Sequence, residues 1–141
     1  MRRYYEFAIV IVLLGILAVV LMQALGKVRG EMEEAGVQME AAAIRSELIE
    51  VVVHRETFGG VLPKSDNPVE WVATTPRDYR GAVDQAPEED AVWYFDRSTK
   101  ELVYRFRDGH RARFRLSRDA GRSGSRGVVA GVGLLRLDDQ R

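Results

Sequence analysis

The sequence predicts an α+β fold in which one long N-terminal helix packs across a four-stranded antiparallel sheet. The first half of that helix is apolar enough to span a membrane. Three observations carry this expectation. From Phe7 to Met22 the chain reads FAIVIVLLGILAVVLM without one polar side chain. From Val28 to Val53 apolar residues recur at alternating spacings of four and three, the period of an amphipathic helix. From Ala91 onward, short alternating segments are separated by turn residues, which is the pattern of antiparallel strands.

The apolar run extends through Gln23 to Gly26, giving 20 residues from Phe7. At about 1.5 Å per residue such a helix crosses a hydrocarbon layer about 30 Å thick. A helix buried in a small soluble core would keep one polar face, and this one has none. Arg2 and Arg3 precede the span, so the positive-inside rule puts the short N-terminus in the cytoplasm and residues 27–141 on the far side; Lys27 and Arg29 oppose that assignment. A cleaved signal peptide is the competing reading. The run is long for one, and no small-x-small cleavage pattern follows it. The expected organisation is a membrane half, residues 1–26, and an α+β domain, residues 27–141. Glu6 stands at the edge of the run, where an unpaired carboxylate entering lipid costs about 2.5–3.5 kcal/mol. It either marks the headgroup interface or meets a cationic partner.

Beyond the span the helix is expected to continue to about Arg55, with two apolar stripes. One comprises Val28, Met32, Ala35, Met39, Ala42, Ser46, Ile49 and Val53; the other comprises Val37, Ala41, Ile44, Leu48 and Val51, bordered by Glu33, Glu40 and Glu47. An offset of two residues is about 200° around the helix, so the stripes lie on nearly opposite sides. One stripe is expected to pack on the chain's own sheet. The other, represented by Ile44 and Leu48, is expected to meet a neighbouring molecule, so that charging either residue would abolish assembly and leave the domain folded. Gly26, Gly30 and Gly36 lower helix propensity along this stretch.

The segment ETFGGVLPKSDNP, residues 56–68, reads as a loop, followed by one helical turn at PVEWV capped by Asn67. PRDYRG, residues 76–81, reads as an extended stretch with a turn. A hairpin of AVWYF and ELVYRFR about a DRSTK turn comes next, then RARFRLS after Asp108-Gly109, a polar loop over residues 119–127, and a last strand from Val128 to Leu137. Alternation turns Leu102, Tyr104, Phe106, Ala112, Phe114 and Leu116 to one face and Arg105, Arg107, Arg111, Arg113 and Arg115 to the other.

Composition narrows the function. Lys plus Arg and Asp plus Glu are both 21, which excludes the strongly basic footprint of a dedicated nucleic-acid binder. That balance hides a segregation: seven acidic against two basic residues from Glu31 to Glu56, and ten basic against four acidic from Asp96 to Arg126. Cysteine is absent, removing disulfides and thiolate chemistry, and His54 and His110 stand too far apart in sequence for a histidine-rich metal site. No nucleophilic triad, phosphate loop or metal motif points to an enzyme or a cofactor. His54 is expected near the helix C-terminus, and Trp71 and Trp93 as packing anchors. Asp84, Glu88, Glu89 and Asp90 offer oxygen ligands to Ca²⁺ but lack the spaced pattern of a defined site.

The run EFAIVIVLLGILAVVL from Glu6 to Leu21 resembles the opening of type IV pilin-like proteins, the broad family of minor pilins and type II secretion pseudopilins. The order NP, P-x-x-Y-x-G at Pro76 to Gly81, WYFD at Trp93 to Asp96 and ELVYR at Glu101 to Arg105 is similar to minor pilins of the mannose-sensitive haemagglutinin pilus type. The resemblance covers most of the chain; its N-terminal pattern is the more specific part. It implies a non-enzymatic filament subunit or assembly factor in the bacterial inner membrane, with its C-terminal domain in the periplasm. Its partners would be other pilin or pseudopilin subunits and inner-membrane assembly proteins, and Glu6 would pair with a neighbour's N-terminal amine. The family's precursors carry a basic leader ending in glycine; Met1 to Tyr5 contain none, so either the start lies upstream or the chain stays unprocessed as an assembly factor. The alternative function is pilin-like DNA binding, with Arg105, Arg107, Arg111, Arg113 and Arg115 meeting phosphates without a sequence code.

Overall fold

Helix α1 runs from Arg2 to Phe58 in the computed structural model, which describes residues 2–118 and 132–137. Straight-chain and apolar residues sustain it. It ends where Gly59 and Gly60 follow with φ of 81° and 127°, a left-handed backbone that glycine adopts without a Cβ clash. The Arg55 guanidinium donates to the Val61 carbonyl just past this end. The chain divides into two units, Met1–Gly36 and Val37–Arg141. In the first unit, every residue from Arg2 to Met32 is exposed within the chain.

In the second unit, Val37, Ala41, Ile44, Leu48 and Val52 are the buried helix residues. They join Trp71, Trp93, Phe95, Leu102, Phe106, Ala112, Phe114 and Leu134 in one core. This corrects the expected use of the two stripes. Ile44 and Leu48, read as subunit contacts, are 3% and 2% exposed and pack on the chain's own sheet. The stripe left on the outside holds Met39, Ala42, Ser46 and Val53, with Met39 73% exposed. Branched Ile44 and Leu48 fill a packed core in few rotamers, and burying each contributes about 1.5–3 kcal/mol.

The sheet has five strands in the order β1 (Tyr79–Val83), β2 (Val92–Asp96), β3 (Glu101–Arg105), β4 (Arg111–Ser117) and β5 (Gly133–Arg136). It is mixed rather than wholly antiparallel: β1 pairs parallel with β2, and the other neighbours are antiparallel. The expected four-stranded antiparallel sheet thus gains an edge strand from the stretch read as extended with a turn. Eight residues separate Val83 from Val92. That connection is short for a parallel crossover, but eight extended residues reach about 26 Å, more than the roughly 17 Å needed to return along a five-residue strand. Gly81, at φ 86°, takes up the register shift between Tyr79 and Ala82.

The remaining elements follow local chemistry. Asn67 caps a 3₁₀ turn at Pro68–Glu70, accepting from the Val69 N–H at 3.1 Å. Its Nδ2 donates to the Tyr79 hydroxyl at 2.8 Å, tying the turn to β1. At the DRSTK turn, Asp96 accepts from the Ser98 N–H and hydroxyl, which holds its carboxyl below the ordinary 3.8. Gly109, at φ 91°, serves the next turn. Residues 119–127, and residues 128–131 of the expected last strand, lie outside the described residues.

Candidate functional site

The first candidate is the apolar helix segment itself. Its side chains are exposed: Leu13, Leu14, Leu17 and Leu21 are all 57–62% exposed. By length and composition α1 is a candidate membrane span. Glu6 is exposed at its start, one turn beyond Arg2 and Arg3.

The second candidate is the sheet face turned away from the helix. The registers Val92↔Arg105, Arg105↔Arg111, Tyr94↔Val103 and Val103↔Arg113 place Arg105, Arg111, Arg113 and, two residues on, Arg115 on one face. Arg107 departs from the expectation, since it lies in the β3–β4 turn. Several of these guanidinium groups have partners. Arg105 meets Asp90 at 2.9 Å and donates to the Pro87 carbonyl at 2.7 Å. Arg115 and Arg113 reach the buried Glu101 carboxylate at 2.8 and 3.8 Å. A carboxylate only 4% exposed on a sheet face requires such charge-assisted bonds, and it anchors the arginines that cover it. Arg111, Arg113 and Arg115 are exposed.

The acidic loop before β2 is occupied in the same way. Arg80 holds Glu89 at 2.7 Å, Arg97 holds Asp84 at 3.4 Å, and Arg105 holds Asp90. These carboxylates are distributed one to each arginine instead of converging. Among the described residues no group of three metal-ligating side chains comes together.

The third candidate, not foreseen from the sequence, is a groove between α1 and residues 63–77. One lobe of about 760 Å³ is lined by Glu47, Glu50, His54, Glu70 and Trp71, among others. A second of about 410 Å³ shares Glu47 and Thr74 and adds Glu40 and Arg77. Glu47 accepts from the backbone N–H groups of Ala73 and Thr74 at 3.0 and 3.2 Å. Bonds from Thr74, then from the Ala73 backbone, hold its carboxyl below the ordinary 4.5. Glu40 accepts from the Trp93 indole N–H. The two glutamates that border the buried stripe at a seven-residue spacing therefore clasp the helix to the domain. That bordering row was the sequence signal for which stripe faces inward. His54 stacks on Phe58, and Arg118 lies 5.6 Å over the buried Trp71 ring.

Compared with known proteins, the chain matches no family model, no curated protein and no solved structure. The structure defines a class only: an α+β domain built on a long helix whose first half is a candidate membrane span.

Proposed function

We propose that the chain is a non-enzymatic, single-pass membrane protein of pilin-like type, a subunit or assembly factor of a type IV pilus or type II secretion filament. In this reading its domain lies on the periplasmic face of a bacterial inner membrane. The observation that carries the reading is one uninterrupted helix, Arg2–Phe58, used in two ways. Residues 7–22 carry no polar side chain and stay exposed among the described residues, and the helix from Val37 onward gives one stripe to a sheet and keeps another outside. A protein built only to be anchored needs the first half. It does not need Met39 and Val53 held on the outer face of a rigid helix. In a bundle of such helices, Glu6 would exchange its cost in lipid for an ion pair with a neighbour.

The test is fractionation of the full chain with a carbonate wash, together with in-cell cross-linking from a photoreactive residue at Met39. Retention in the membrane pellet and a cross-linked ladder support the reading. A monomer in the aqueous fraction overturns it. The DNA-binding alternative is less favoured, because Arg105, Arg113 and Arg115 already serve Asp90 and Glu101.

A further inference from the structure

We infer that the groove beside α1 is a docking site for an extended segment of a partner protein, with arginine side chains of that segment seated in the larger lobe. Every residue that builds the lobe belongs to the second unit, so the inference stands apart from the membrane reading. At about 760 Å³ the lobe falls within the range of ligand pockets, about 300–1,000 Å³. Its lining mixes apolar Val51, Pro63 and Trp71 with Glu47, Glu50 and Glu70.

Charge and hydrogen bonding together fix the chemistry of the occupant. The three carboxylates face the single guanidinium of Arg55, so the lobe is negative whichever charge His54 carries. The main donors on its walls are already engaged. Ala73 and Thr74 give their N–H groups to Glu47, Trp71 gives its indole N–H to the Ser65 carbonyl at 2.9 Å, and Arg55 donates to the Val61 carbonyl. Glu50 and Glu70, by contrast, are exposed, and neither joins an ion pair among the described residues. The lobe therefore offers an occupant negative charge and acceptor oxygens. It repels a carboxylate or phosphate and holds an ammonium or guanidinium.

Trp71 favours the guanidinium, which is planar and can stack on an indole while its edge pairs with a carboxylate. The chain makes this arrangement once with its own residues: Arg118 lies 5.6 Å over Trp71 and 3.7 Å from Asp66, and donates to the Lys64 and Ser65 carbonyls. Shape favours a peptide over a free cation. The smaller lobe shares Glu47 and Thr74 with the larger and continues the groove, and there Glu40 is balanced by Arg77. From Glu40 to Arg55 the helical wall runs about 22 Å, at about 1.5 Å per residue. That length takes about six or seven residues of extended chain. A segment with arginines at one end and neutral residues at the other matches both lobes, whereas a free cation would fill only one.

The experiment uses the full chain in maltoside micelles and a fluorescein-labelled peptide, blocked at both ends, of two arginines followed by alanines. Fluorescence anisotropy should show saturable binding that weakens as salt rises. The same peptide with citrulline, the neutral isostere of arginine, should bind about tenfold more weakly or worse. Glu50→Gln with Glu70→Gln should lower the affinity of the arginine peptide about tenfold or more. Glu56→Gln with Glu88→Gln removes the same charge from exposed positions outside the lobe and should leave the affinity unchanged. Circular dichroism confirms that each variant is folded; should the lobe double variant lose helix, Glu50→Gln alone carries the test. The assignment is overturned if the folded lobe variant binds as the wild type does, if the control variant loses as much, or if the citrulline peptide binds equally. Spermidine, a free polyamine, should compete weakly; competition as strong as that of the unlabelled peptide would make this a free-cation site and overturn peptide docking. Failure here leaves the membrane-subunit reading standing, and release of the chain by the carbonate wash overturns that reading without touching this one.

Discussion

Glu47 shows how a single side chain joins local chemistry to the stability of the domain. It leaves the helix beside the buried stripe and accepts hydrogen bonds from the backbone of Ala73 and Thr74, 26 and 27 residues away. Those bonds are stronger to the ionised carboxylate, which is why its pKa falls below the ordinary 4.5. A carboxyl whose folded value is depressed adds stability that is fully present above its unfolded value and is lost as pH falls through the folded one. The window therefore opens near pH 4.5 and extends downward. Glu47→Gln keeps the shape and an acceptor oxygen but cannot titrate. The wild type should be the more stable chain at neutral pH, and the difference between their urea midpoints should shrink as pH drops below about 4.5 and vanish at lower pH. A difference independent of pH would mean that the carboxylate is not favoured by those bonds. Asp96, held down by Ser98 and Thr99, adds its own acid limb, so the comparison must be between the two chains and not within one.

At the scale of the element, α1 shows what periodicity can and cannot tell. Spacings of four and three place two apolar stripes on nearly opposite sides, and the structure has both. Spacing alone does not say which one meets the sheet. The outer stripe contains Ser46 and two flexible methionines, and the inner one contains Ile44 and Leu48 with a glutamate row at its edge; those differences in shape and reach decided the matter, and the period is blind to them. Two substitutions separate the faces. Leu48→Ala, at a residue 2% exposed, should cost about 2–5 kcal/mol in denaturant unfolding because it leaves a cavity among Trp93 and its neighbours. Met39→Gln, at a residue 73% exposed, exchanges near-equal helix formers and should stay within about 0.5 kcal/mol, while lowering cross-linking between copies if the outer stripe serves assembly. Strand β1 escaped the sequence for a related reason. YRGAV has a glycine at its centre and little alternation, so its pairing depends on Trp93, Phe95 and the tether from Asn67 to Tyr79 rather than on its own pattern. By contrast β2, β3 and β4 were legible to within a residue or two, because their alternation and turn residues are strong local signals.

For the whole molecule, the same division of labour sets what was readable. An apolar run and a period of 3.6 are properties of the chain, so the helix, its candidate span and the α+β class could be read directly. The groove beside α1, lined by Glu40, Glu47, Glu70 and Arg77, is a product of folding, whereas the alternation within β3 and β4 already put Arg105, Arg111, Arg113 and Arg115 on one face. The core is equally particular: Val37 is its most N-terminal member among the described residues, and everything it packs with follows in sequence. Residues 2–36 therefore contribute no buried side chain to that core, and the helix from Val37 to Phe58 is held by tertiary packing rather than by propensity carried over from the apolar half. A chain beginning at Val37 should accordingly fold alone. Its circular dichroism should show helix and sheet, it should remain in the aqueous phase without detergent, and its urea midpoint should match that of the domain in the full chain within about 0.5 kcal/mol. A truncated chain that melts without a cooperative transition would mean that the first unit stabilises the second, and the helix would then have to be treated as a single folding element rather than as a membrane half and a core half.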